Sequence, residues 1–185
     1  MKRLVLALAA VALLAGCAAN PNVVPPEQLA TLAYKNTGPV NLKLYTVINR
    51  RSGSGGHTAL GVNASERVLF DPAGKFEAEG YVRSGDVIYS FDPKVEKSFT
   101  SAHARSTYLV REQTIPVTPE VAEQALRLVK ANGAVSNAMC AQSTSQILSR
   151  LPGFQTIRPT MFPRALEAQL VSHPGVKTVT HIEDD

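Results

Sequence analysis

The chain changes character once, at Thr118-Pro119-Glu120. Before this point apolar and polar residues alternate. After it apolar residues recur every three or four positions. Period two marks half-buried strands and period 3.6 marks amphipathic helices. Strands grouped first and helices later predict an α+β fold, an antiparallel sheet packed on helices.

The first part is read as a series of strands. Val40 to Ile48 alternates, with Val40, Leu42 and Leu44 facing one way and Asn41 and Lys43 the other. Asn49 to Gly56 is polar and glycine-rich, a flexible loop. His57–Asn63 and Arg67–Asp71 flank Ala64-Ser65-Glu66 and predict a hairpin, ended by Pro72-Ala73-Gly74. Asp86–Phe91 and Thr107–Ile115 are further strands, and Lys75–Gly85 and Lys94–Ser106 are read as loops. In the second part Thr118 is an N-cap and Pro119 opens a helix, with Glu120 at the positive end of its dipole. Val121, Ala125, Leu128 and Val129 form its buried stripe, and Gly133 stops it. A second helix is expected from Cys140 to Leu151 and a third from about Pro163. Val176–Ile182 is a last strand, and Glu27–Lys35 a short helix before the first. No internal repeat is present.

The N-terminus has a different purpose. Lys2 and Arg3 precede an apolar run, Leu4 to Leu14, which is shorter than the roughly 20 residues a membrane-spanning helix needs. A basic start, a short apolar stretch and small residues at a cleavage point are the marks of a secretory signal. Leu14-Ala15-Gly16-Cys17 has the form of a lipobox, which makes Cys17 the expected lipidation site. The organisation read from this is a signal peptide over residues 1–16, a lipidated N-terminus and spacer over 17–39, and one domain over 40–185. Asn20 to Pro26 supplies the proline-bearing spacer. Ala18 after the cysteine resembles the outer-membrane pattern of Gram-negative lipoproteins. The expected location is therefore the cell envelope, lipid-anchored to the outer membrane and facing the periplasm. Cleavage leaves 17 basic and 15 acidic residues, so the net charge falls from +4 to +2. No Lys/Arg stripe interleaved with aromatics is present, which argues against nucleic acid as a partner.

Cysteine usage singles out one thiol. The chain has two cysteines, and Cys17 is consumed by lipid, so Cys140 has no disulfide partner in an oxidising compartment. A free cysteine is commonly a small buried hydrophobe. It is also a nucleophile when its thiolate is stabilised, and a helix N-terminus and a nearby imidazolium both do that. Ser136 to Met139 reads as the turn into a helix that Cys140 begins, whose amides can serve an oxyanion.

The hairpin offers partners. With the turn centred on Ser65, paired positions sum to 130, so Asp71 lies opposite Ala59, and His57 and Asp71 are diagonal neighbours on one face. A carboxylate there holds the imidazole in one tautomer and stabilises its cation. A slip of one residue would separate them. The plainer alternatives are a structural histidine at a strand start and an Asp-Pro turn starter. The serines near Cys140 lack the Gly-x-Ser-x-Gly elbow of a serine hydrolase. One cysteine and scattered histidines make a poor zinc site, so no metal or cofactor is expected. His103, His173 and His181 fall in segments read as irregular or terminal and receive no role.

Gly56-His57-Thr58-Ala59-Leu60, Val68 to Gly74, and Met139-Cys140 opening a helix together resemble the circularly permuted branch of the NlpC/P60-like, papain-like cysteine hydrolases. The resemblance covers about Val40 to Leu170. It implies that the histidine strand precedes the cysteine helix, with His57 as base, Cys140 as nucleophile and Asp71 as the third polar group. The acyltransferase members show Asn-Cys-Glu-His at the cysteine, whereas this chain has Met139-Cys140-Ala141-Gln142. The expected function is an envelope-anchored cysteine hydrolase that cleaves an amide, with peptidoglycan peptide as a candidate substrate. The alternative is a non-catalytic lipoprotein that binds wall fragments or a protein partner on the same scaffold.

Overall fold

A computed structural model describes residues 23–35 and 37–184. The leader expected over residues 1–16 and the lipidation site Cys17 lie outside the described residues. The order of elements is α1 (Pro26–Thr31), β1 (Asn41–Asn49), β2 (Gly55–Asn63), β3 (Arg67–Phe70), β4 (Val82–Ser84), β5 (Val87–Tyr89), α2 (Pro93–His103), β6 (Tyr108–Pro116), α3 (Pro119–Ala131), α4 (Cys140–Leu148), α5 (Pro163–Leu170) and β7 (Lys177–His181). All pairings are antiparallel, and the seven strands form one sheet in the order β4-β5-β3-β2-β1-β6-β7. The chain is therefore mixed α and β, an antiparallel sheet packed on helices.

Alternation along the strands divides the apolar side chains between two faces. Leu42, Leu44, Leu60, Val62 and Phe70 pack with Ala125 and Val129 of α3, Ile147 and Leu148 of α4, and Leu166 and Leu170 of α5. Tyr45, Val47, Ala59, Leu69 and Ile88 pack on the other side with Val95 and Phe99 of α2. The hairpin has the expected register, with Asn63 opposite Arg67 and Leu60 opposite Phe70. At the start of β2 the pairing with β1 shifts, Val47 facing His57 and Ile48 facing Gly55. Gly56 is left over, a bulge of the kind that re-aims side chains beside functional sites.

Several sequence expectations need correction. Lys94–Ser106 is largely helix, not loop. Asp92 caps α2 by accepting the Val95 N–H at 2.8 Å, and Pro93 occupies its first turn. Lys75–Gly85 contains the short strand β4. Asn49 to Ser54 is an ordered turn, closed by Asn49 Oδ1 accepting the N–H groups of Arg51 and Ser52 at 3.0 and 2.9 Å. In α3 the buried face includes Ala122 and Leu126, whereas Leu128 lies at its margin.

A charged cluster fastens α2 to the sheet. Glu96 accepts from Lys43 at 2.8 Å, from the Tyr45 hydroxyl at 2.5 Å and from Arg67 at 2.6 Å. Burial opposes ionisation of Glu96, but these donors outweigh it and bring its pKa down to about 2. A carboxyl whose folded pKa lies below its unfolded value stabilises the fold above the unfolded pKa, and that stability is lost as pH falls through the folded one. We therefore expect Glu96→Gln to cost ~1–2 kcal/mol at neutral pH, after allowance for partial solvent screening. The difference from wild type should shrink between about pH 4.5 and pH 2, as read by chemical denaturation across that range.

Candidate active site

His57 follows the bulge at Gly56 and projects from the same face of β2 as Ala59. The pairing of β2 with β3 ends at Leu60 and Phe70. One further step of that register places Asp71 opposite Ala59 and diagonal to His57. The two side chains meet there, His57 Nε2 lying 2.7 Å from Asp71 Oδ1. Asp71 is 0 % exposed. A buried carboxylate needs matched charge and full hydrogen bonding. Its second oxygen, Oδ2, accepts from Arg83 at 2.6 Å, and Arg83 also donates to the Phe76 carbonyl at 3.3 Å. Glycine is required at position 74, because a Cβ there would lie 2.0 Å from Asp71 Oδ2.

Cys140 comes from the opposite face of the sheet. It is the first residue of α4, and the N-cap Met139 supplies no side-chain cap, so the amides of the first turn are free for other acceptors. Because β3 stops at Phe70, Thr58 is paired with β1 on one side but has no β3 residue on the other. The Thr58 N–H and the N–H of Ala141 lie near enough to the Cys140 sulfur to favour its anion. His57 lies beside the same sulfur, close enough to favour its anion. With Nε2 committed to Asp71, Nδ1 is the ring nitrogen that serves the thiol. Cys140 is 7 % exposed, and the His57 side chain 17 %. The structure thus brings together the three residues singled out from the sequence.

The charges reinforce one another. Burial pushes the Cys140 thiol up, but His57 and the two amides outweigh it and hold the thiol below its ordinary value. Burial pushes His57 down, but Asp71 and Cys140 raise it to about 9. Burial likewise works against Asp71 as an anion, and His57 and Arg83 bring it below the usual carboxylate range. Together these shifts move the balance toward a thiolate–imidazolium pair backed by a carboxylate. Such a pair is an activated nucleophile with its proton donor already in place.

Two participants were not visible in the sequence reading. Arg83 lies in a segment read as loop. His103, assigned no role, ends α2 and stacks on His57, with ring centroids 5.9 Å apart and planes 16° from parallel. Its Nδ1 hydrogen-bonds the Phe99 carbonyl at 2.8 Å, and Phe99 itself packs against the ring at 4.4 Å. Burial pushes His103 down and outweighs the Phe99 carbonyl, and the neighbouring His57 charge adds to the push, which favours the neutral ring. His173 stacks on Phe154 and His181 pairs with Glu112 at 3.0 Å. Among the described residues no group of three or more His, Cys, Asp or Glu side chains is arranged to hold a metal ion. Compared with known proteins, the chain matches no family model, no curated protein and no solved structure.

The ion pair predicts a distinctive titration. Alkylation of Cys140 by iodoacetamide should already be fast below the ordinary thiol range. In His57→Ala, the same reaction should titrate near or above a pKa of about 8.5, because the cation that favours the thiolate is gone. Identical pH profiles for the two proteins would show that His57 does not tune this thiol.

Proposed function

We propose that this protein is a cysteine hydrolase of permuted papain-like arrangement, with Cys140 as nucleophile, His57 as acid and base, and Asp71 as the group that orients and charges His57. The observation that carries the reading is the convergence of three residues from separate elements: His57 Nε2 lies 2.7 Å from the fully buried Asp71, and Cys140 lies close enough to His57 for each to stabilise the other's charge. The order of a histidine strand before a cysteine helix is the one the resemblance to the permuted branch implies.

The chemistry follows from the positions of the protons. The Cys140 thiolate attacks the substrate carbonyl carbon, forming a C–S bond and moving the carbonyl electron pair onto oxygen. Amides at the start of α4 stabilise that oxyanion. His57 Nδ1–H gives its proton to the leaving nitrogen as the C–N bond breaks, which leaves a thioester on Cys140. A water molecule then attacks the thioester as His57 takes its proton. The collapse releases a carboxylic acid and restores the thiolate–imidazolium pair. Asp71 keeps Nε2 protonated throughout, so Nδ1 is the nitrogen that cycles.

An amide in cell-wall peptide is the substrate class that fits the expected tether, since a lipid on Cys17 would keep the domain beside the wall. Cys140→Ala should lower amide hydrolysis of soluble wall peptides by ~10³-fold or more while the melting temperature changes little. In the wild type, mass analysis after brief exposure to a thiol-directed electrophile should find Cys140 labelled faster than glutathione. Ordinary labelling together with an undiminished Cys140→Ala variant would favour the non-catalytic, wall-binding reading. Anchoring has its own check: Cys17→Ser should move the protein from the membrane fraction to the soluble fraction. Retention on the membrane would refute lipidation at that residue.

A further inference from the structure

The turn joining β4 to β5 touches both halves of the site. It consists of Gly85 and Asp86, between the paired residues Ser84 and Val87, with Gly85 in the left-handed region at φ 58°. Arg83, just before it, holds the carboxylate of Asp71. Asp86 does more. Its main-chain carbonyl accepts the Asp71 N–H at 2.8 Å. Its Oδ2 accepts the Ala73 N–H at 3.0 Å and the Val135 N–H at 2.8 Å. Ala73 belongs to the loop that carries the acid. Val135 begins the segment that delivers the nucleophile, where Met139 N–H closes onto the Ser136 carbonyl at 3.2 Å and Ala138 is left-handed at φ 65°.

These two loops are distant in sequence and approach the sheet from different elements. Hydrogen bonds from N–H to a carboxylate are stronger and more geometrically exacting than neutral ones. One oxygen that accepts from both loops fixes their separation. That separation sets where Cys140 stands relative to His57 and Asp71. A displacement of about 1 Å in such a constellation can cost ~100-fold in rate.

We propose that Asp86 is a positioning residue that sets the alignment of Cys140 with the His57–Asp71 pair, an inference that rests on the cysteine-hydrolase reading. It touches neither the substrate nor the reacting atoms. An asparagine in its place still presents one oxygen to the two N–H groups. An alanine presents none, and a serine hydroxyl is too short to span both.

The experiment compares wild type, Asp86→Asn, Asp86→Ala and Asp86→Ser, all measured well below their melting temperatures. The readouts are kcat and KM for wall-peptide hydrolysis and the pH profile of Cys140 alkylation. We expect kcat to fall ~10- to 100-fold in the alanine variant with KM within about twofold of wild type. The alkylation profile of that variant should move toward that of an ordinary thiol. Asparagine should restore most of both. Should the alanine variant fail to fold, the serine variant carries the same comparison. A folded alanine or serine variant with wild-type kcat and a wild-type alkylation profile would overturn the proposal, even if it melts earlier. Asparagine as damaging as alanine would overturn it too. A wild-type protein whose Cys140 titrates as an ordinary thiol and hydrolyses nothing would remove the underlying reading, a result distinct from either of these.

Discussion

Asp71 is a carboxylate removed from water, and such a group costs several kcal/mol unless its charge is matched and its lone pairs are filled. The surrounding structure follows from that requirement. One oxygen faces the His57 imidazole and the other the Arg83 guanidinium. Its main-chain N–H is held by Asp86 and its carbonyl accepts the Gly74 N–H. Position 74 has no room for a side chain because the carboxylate occupies the space. Loss of either cation would leave a buried charge unpaired, so the two strands and the β4–β5 turn that supply them are tied to one another through this residue.

The cysteine is governed by a different constraint, the end of β3. His57 projects from the sheet face covered by α2, whereas α4 packs on the other face. A helix there would ordinarily be shielded from His57 by the sheet itself. Because β3 stops at Phe70, the edge of β2 beside Thr58 lies open, and the start of α4 fills it. The sulfur sits by the Thr58 N–H, in the place a longer β3 would have taken. The brevity of β3 therefore shapes this place: two more pairs in the ladder would set Pro72 opposite Thr58, satisfy its amide with backbone and displace the thiol.

How much of this was legible in the sequence depends on the reach of each interaction. The hairpin register was readable because Ala64-Ser65-Glu66 leaves little freedom and both flanks are patterned, and the register alone brings His57 beside Asp71. The Cys140 helix start was readable from the polar turn before it. Arg83, Asp86 and His103 were not, because each acts on a group supplied by another element and no local pattern marks the pairing. The α2 helix was a different kind of omission. Asp92-Pro93 followed by Val95 and Phe99 has the same logic as Thr118-Pro119 followed by Val121 and Ala125: a cap, a proline in the first turn and an apolar i, i+4 pair. The local signal was present, and it was outweighed by the polar residues between.

The two loops that meet on Asp86 each hold an alanine in the left-handed region, Ala73 at φ 57° and Ala138 at φ 65°. A non-glycine residue there costs about 1 kcal/mol or more, and such residues persist only where the surroundings over-determine them. Glycine at either place would relieve the strain in the folded chain, but it would also widen the range of conformations open to the loop. Alanine leaves fewer alternatives. The hydrogen bond from Ala73 N–H to Asp86 selects the left-handed one after Asp71, and the closed turn from Ser136 to Met139 does so before Cys140. Strain and restraint at these two positions are thus complementary: a site whose parts come from three separate elements gains more from loops with one available conformation than from loops at their local energy minimum.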